Sequence, residues 1–362
     1  MTRSFVDRSS PAFWVYVALL IYGTFKFVPI VLSQAVAYPT AGLTAALAWL
    51  AYAGVLGFIL FRLELFQRRS PVTIGGAFAW GAFVVSGIGV TASPAMAELL
   101  ANWMGEDNAD WATALAASLV EEPLKVLGVF VLALIPGARI NSMLDGLFYG
   151  VFVGLGFQVA ESYLYTMGAV AARGGAVEVV AAMLVLRGIV GGLWNHPTFS
   201  GISGAGAGYV FGPERSTRKK WLVFAGLLVA AMLIHFLFDS PIFDEQLGLT
   251  VFLKGLPALI VLLIAFRIAR RRERKLFAHS ARTDIEPDLI RDDELTVLMR
   301  RKSRRQAVRA ARRQGGRRAA RNLRDLQQSQ IDLVEADLDS GRESPEVAEA
   351  SEQVRQARSR LG

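Results

Sequence analysis

In the stretch SLVEEPLKVLGVFVLALI (118–135), two adjacent carboxylates, Glu121 and Glu122, and one lysine, Lys125, interrupt an otherwise apolar run. One charge at mid-bilayer costs roughly 2.5–3.5 kcal/mol on insertion scales, so such residues are rare and tend to be functional. Lys125 stands i,i+4 from Glu121 and i,i+3 from Glu122, which puts the three on one helical face. One lysine neutralises one carboxylate and leaves the other in surplus. A carboxylate held away from bulk water is a candidate general base. Further along, Glu161 closes FQVAE, and His196 stands in a row of small residues with Gly188, Gly192, Ser200, Gly204 and Gly208. His235 and Asp239 are i,i+4 in HFLFD. Acids, a lysine and histidines in such surroundings suit water activation, metal ligation or a proton relay.

The elements that must position these residues are membrane helices. Of 362 residues, 53% are hydrophobic and 19% charged, an apolar excess that points to an all-α polytopic membrane protein. There is no cysteine, which excludes disulfides, zinc–thiolate sites and thiol nucleophiles. Apolar runs of spanning length, about 20 residues, lie at roughly 11–33, 40–62, 73–100, 112–135, 142–167, 179–211, 221–241 and 248–267, giving about eight transmembrane helices. Basic residues follow alternate helices: Arg62, Arg68 and Arg69, then Arg139, then Arg215, Arg218, Lys219 and Lys220, then RIARRRERK. Apart from Arg173, the intervening connections, such as NWMGEDNADW and SPIFDEQLG, are neutral or acidic. The positive-inside rule then predicts both termini in the cytoplasm of a multi-pass plasma (inner) membrane protein. With that orientation Glu121 lies roughly 15 Å below the outer face, and Glu161 and His235 about 9 Å below it, so acids and histidines of separate spans share the outer half of the bilayer.

From about Ala269 the composition changes to charged helix formers. The net charge of +8 is concentrated there, with eleven Lys or Arg and no acid between Arg300 and Arg321. The expected division is a transmembrane domain over 1–268, with core motifs at 112–240, and a basic helical cytoplasmic tail over 269–362. Such a tail is a solvated appendage or is drawn to anionic lipid. Nucleic acid is not an expected partner, because no aromatics interleave the arginines.

EEPLK (121–125), FQVAE (157–161) and HFLFD (235–239), with LDGLFYGVFVGLGF (144–157) and the further membrane histidine His196, resemble the PrsW family of polytopic intramembrane proteases, distant relatives of the type II CAAX prenyl proteases. The resemblance covers about residues 112–240. It implies an intramembrane endopeptidase acting on membrane proteins near the extracytoplasmic face, with an anti-sigma factor as a representative substrate. On this reading Glu121 or Glu122 activates water while Lys125 orients the other. Glu161, His196 and His235 then match the two-histidine, one-carboxylate set of hydrolytic Zn²⁺ sites, with Asp239 behind His235 fixing its tautomer. A metal-free version, in which a histidine supplies oxyanion hydrogen bonds, stays open. The alternative from another class is a proton-coupled secondary transporter using the same buried Glu/His/Asp cluster. The first three spans contain no echo of EEPLK, whereas transporters commonly repeat such features in two halves.

Overall fold

The computed structural model describes residues 5–62, 70–138, 140–192, 194–213, 216–242 and 247–361, without the side chains of 247–251. Arg68, Arg69, Arg139, Arg215, Asp244 and Glu245 of the orientation argument lie outside these residues. The chain forms two compact units, Met1–Leu60 with Ser70–Ala269 and Phe61–Arg69 with Arg270–Gly362.

Among the described residues every regular element is a helix. The first are α1 (Pro11–Ala37), α2 (Pro39–Arg62) and α3 (Pro71–Met104), the last wound as a π-helix over Trp80–Val85. They are followed by α4 (Ala109–Ala133), α5 (Met143–Ala172) and the short α6 (Val179–Val190), whose second half is again π-helical. Then come α7 (His196–Phe211), α8 (Thr217–Asp239) and α9 (Leu247–Thr283). Among the described residues six helices are long and apolar enough to cross a membrane: α1, α2, α3, α5, α8 and α9. The fourth expected span is also one continuous helix, α4, with Glu121, Glu122 and Lys125 at its middle.

The sixth expected span is different, because residues 179–211 are two helices and not one. The π-helical end of α6 gives out at Gly191–Gly192, where helix propensity is weak. A new helix starts at His196: the Asn195 side chain accepts the His196 N–H at 2.8 Å, and Pro197 occupies the first turn, where no N–H is needed. Hydropathy over the segment is continuous, but the backbone is not. The small-residue row is thereby split, with Ser200, Gly204 and Gly208 left on α7 and His196 at its first turn.

Within the first unit α5 is the core, and its most apolar stretch is buried throughout. It meets α7 with almost no side chain between them. A Cβ on Gly146, Gly150 or Gly154 would collide with the carbonyl oxygen of Gly204, Ser200 or His196 respectively. Small residues spaced by four allow this approach, and in lipid such van der Waals contact is a main force between helices. The third contact sets the level of His196 against the turn of α5 that carries Phe157, one turn before Glu161.

The second unit is a helical assembly of the C-terminal half of α9, α10 (Asp292–Leu298), α11 (Arg301–Ser340) and α12 (Pro345–Ser359). Leu295, Leu298, Leu326, Val334 and Val354 belong to its apolar core. Its best-formed ion pair is the two-pronged contact of Arg358 with Glu294, at 2.8 and 2.7 Å. Burial pushes the Glu294 carboxyl up, but the donors of Arg358 and Arg291 outweigh it and bring the group down to about 2.

Gly150→Ala is expected to force α5 and α7 apart, at an overpacking cost of about 1–3 kcal/mol. Gly168→Ala, on the same helix but with open space beside it, should be neutral. Thermal unfolding of the two variants in detergent checks this, and equal melting temperatures would contradict the close-contact account.

Candidate active site

Four helices bring the seven sequence-selected residues into one cluster, buried at Glu121, Glu122, Lys125, His196 and His235 and opening outward at Glu161 and Asp239. Lys125 stands at its centre. Its Nζ lies 3.0 Å from Glu121 Oε2, 3.0 Å from Glu122 Oε1 and 3.0 Å from His196 Nδ1. The three N–H groups of the ammonium therefore have three acceptors. The Phe157 ring centroid is 4.1 Å from the same nitrogen, so the ammonium also rests on an aromatic face. Lys125 and Glu122 are fully buried, while the Glu121 side chain keeps 8% exposure.

These contacts fix the tautomer of His196. An ion-paired ammonium only donates, so Nδ1 of His196 carries the lone pair and Nε2 carries the hydrogen. That Nε2–H donates to Glu161 Oε2 at 2.9 Å. The same Glu161 Oε2 also accepts from the Arg187 guanidinium, which donates from Nε to Ser162 Oγ at 3.3 Å and lies over the Tyr165 ring.

His235 is placed by α8 on the opposite side, with ring centroids of the two histidines 5.1 Å apart. Its Nδ1 is 3.0 Å from Glu122 Oε1, and its Nε2 is 3.0 Å from Asp239 Oδ2 and 3.8 Å from Glu121 Oε2. Neither buried ring nitrogen makes an aligned hydrogen bond to a described residue. The contacts are electrostatic. Oε2 of Glu122 likewise accepts no hydrogen bond from the described residues. Phe199 stacks on His235 at 5.0 Å and meets His196 edge-on, closing the cluster with apolar walls.

Two features bear on a metal. First, one donor atom each from Glu121, His196 and His235 lies within 4.8 Å of the others, a two-histidine, one-carboxylate set. The sequence expectation gave the carboxylate place to Glu161. In the structure Glu161 engages the far nitrogen of His196, and the carboxylate at ligand range of both imidazoles is Glu121. Second, four carboxylates (Glu121, Glu122, Glu161, Asp239) face two fixed cations (Lys125, Arg187). With neutral imidazoles that surplus matches a divalent ion. The residues fit a metal in both donor type and charge.

The family model described as PrsW family intramembrane metalloprotease matches residues 69–268, more than half of the chain and all of this cluster. The chain belongs to the PrsW family. It is accordingly a membrane-embedded protease whose substrates are membrane proteins, and the transporter alternative gives way to this assignment. No curated protein and no solved structure matches the chain.

Arg187 is the site residue of this PrsW member that the sequence reading missed. The signal was present: a lone arginine in AAMLVLRGIVGGLW breaks an apolar run just as the acidic pair does. The π-helical winding of Leu184–Val190 carries it to Glu161, and π-turns of this kind recur at functional sites. Loss of an outer contact of this type costs about 10–100-fold in activity or metal affinity. Arg187→Gln is expected to lower kcat by that amount at little change in KM, because Glu161 and then His196 lose their orientation. Arg187→Lys should restore only part of it, a lysine lacking the planar fork. Steady-state cleavage of a single-span substrate reads the outcome, and unchanged kcat in Arg187→Gln would remove Arg187 from the site.

Proposed function

We propose that the chain is an intramembrane endopeptidase of a plasma (inner) membrane, with both termini cytoplasmic, that hydrolyses peptide bonds of membrane proteins near the extracytoplasmic face. A single-span protein resembling an anti-sigma factor is the substrate type meant. The protease domain occupies residues 1–268 and the cytoplasmic tail 269–362. The bilayer itself is a partner, with anionic lipid drawn to the basic tail. The observation that carries the reading is the shared lysine: Lys125 holds one oxygen of each of two adjacent glutamates and one nitrogen of His196, and leaves Glu122 Oε2 with an open lone pair.

Glu121, His196 and His235 would hold the metal, with His196 Nδ1 exchanging its contact with Lys125 for the ion. Bound there, Zn²⁺ would polarise the scissile carbonyl and make water more acidic. The remaining chemistry belongs to the chain. Glu122 accepts the proton of the attacking water at Oε2 and returns it to the nitrogen of the leaving amine, so that one water is consumed and two new termini appear. Lys125 keeps the other Glu122 oxygen in place during both transfers. Glu161 holds the tautomer of His196 through its Nε2–H, and Asp239, 3.0 Å from His235 Nε2, acts on that ring through its charge. Phe157 and Phe199 keep bulk water away from the reacting atoms.

Glu122→Gln should insert and fold but lose turnover by about 10²–10⁴-fold, the range for a general base. Glu121→Gln and His235→Ala should lose bound metal together with activity. Chelation should inactivate the wild type, with recovery on adding Zn²⁺. Full activity after exhaustive chelation, with metal content measured as nil, would end the zinc version. A glutamate mechanism would then stand, in which loss of a histidine oxyanion donor still costs roughly 2.7–4 kcal/mol. Wild-type turnover in both glutamate variants would overturn the catalytic assignment altogether.

Orientation has its own check. A cysteine at Asn108 should react with an impermeant reagent from outside intact cells, and one at Lys219 only after permeabilisation. The reverse pattern would place the site on the cytoplasmic side.

A further inference from the structure

The second unit contains a cavity of about 540 Å³ lined by Arg301, Arg304, Arg305, Arg309, Arg312 and Arg324. Its walls come from two arms of α11. Gly315 and Gly316 leave helical geometry (φ −128°, ψ 19° and φ 73°, ψ −161°) and break the helix between them, so both arms face one space. The second of these conformations, with positive φ, is one that glycine reaches without strain. Arg301, Arg305 and Arg309 follow at i, i+4 and i+8, a spacing at which like charges on a helix repel. Among the described lining residues there is no acid. Glu335 lies outside the lining and acts on Arg304.

Six guanidinium groups converge on one concave space, where a multiply charged anion would meet several of them at once. Burial, followed by repulsion from Arg301 and Arg305, brings Arg304 down to about 10. The lining also has a neutral polar part, Gln327 and Gln328, and an apolar floor of Val308, Ala320 and Ile331. The volume lies within the roughly 300–1,000 Å³ usual for small-ligand sites. Guanidinium forks match phosphate oxygens in pairs. No aromatic side chain lines the space to stack a base, which argues against nucleic acid.

We propose that this cavity is a binding site for a small anion carrying two or more phosphate groups, gripped by guanidinium forks from both arms of α11. The same chemistry is offered by a soluble polyphosphate and by the headgroup of a diphosphate lipid. The inference is independent of the protease chemistry in the first unit.

The test uses the full-length protein. Inorganic tripolyphosphate, titrated calorimetrically into protein in neutral detergent at physiological salt, should bind saturably at one site per chain. Arg305→Gln combined with Arg309→Gln should weaken it by about tenfold or more, as expected for losing charge-assisted paired contacts. Arg305→Lys with Arg309→Lys, which keeps the charge and guards against misfolding, should lose part of that. Arg317→Gln with Arg318→Gln removes the same charge at residues that do not line the cavity and should leave affinity within about twofold, since charges beyond direct contact are largely screened at this salt. Nanodiscs of phosphatidylcholine with and without cardiolipin separate the sources. Displacement of tripolyphosphate by cardiolipin discs alone supports a lipid headgroup, and no displacement supports a soluble ligand. The proposal fails if neither tripolyphosphate nor cardiolipin binds saturably. It also fails if the Arg317/Arg318 pair matters as much as Arg305/Arg309. Tighter binding of single-stranded DNA, lost alike in both glutamine pairs, would mean an extended basic surface and would overturn it as well.

Discussion

The site depends on one buried ammonium. Without Lys125, Glu121 and Glu122 would be two adjacent carboxylates inside an apolar helix, and breaking a buried ion pair typically costs about 3–5 kcal/mol because it strands the remaining charge. With it, the two glutamates, His196 and the Phe157 face share a single point. That point also orders everything further out. Because the ammonium can only donate, His196 must present its lone pair inward and its hydrogen outward, which in turn gives Glu161 and Arg187 their places. A chain of donors and acceptors thus runs from α4 through α7 to α5 and α6, with each link set by the one before.

The surrounding fold makes that chain affordable in lipid. The glycine contacts of α5 with α7 bring His196 against the turn that carries Glu161. The Asn195 cap and Pro197 start α7 where a histidine can point inward from a helix end. Phe157 and Phe199 supply apolar walls, which strengthen every charge interaction between them. Even the departures from regular helix serve placement, since the π-helical turns of α6 carry Arg187 to Glu161.

Much of this was readable in the sequence because charge is expensive in apolar runs. Glu121, Glu122, Lys125, Glu161, His196, His235 and Asp239 stand out on that ground alone, and the structure gathers them. The i,i+4 relation of His235 to Asp239 and the glycine spacing of α5 were likewise legible, because helical geometry follows directly from residue numbers. The break between α6 and α7 was not read from hydropathy, which averages over the very residues that matter. The local signals were Gly191–Gly192 followed by Asn195 and Pro197, a helix stop and a helix start in succession. That Glu121 comes within reach of both imidazoles while Glu161 meets the outer nitrogen of His196 lay beyond any sequence argument. Which carboxylate meets which imidazole depends on how four helices are rotated against each other, and spacing within one helix carries no information on that.

The glycine contacts also make α5 and α7 one mechanical piece, to which α8 is packed extensively. The same kind of contact joins α5 to α3, where a Cβ on Gly81 or Gly156 would collide with the carbonyl oxygen of Val153 or Phe78. Onto this frame α4 brings both glutamates and Lys125, whereas His196 and His235 come from α7 and α8. The polar cluster is therefore a joint between helices as well as a site, and any displacement of α4 from α7 and α8 would part Lys125 from His196 and Glu122 from His235.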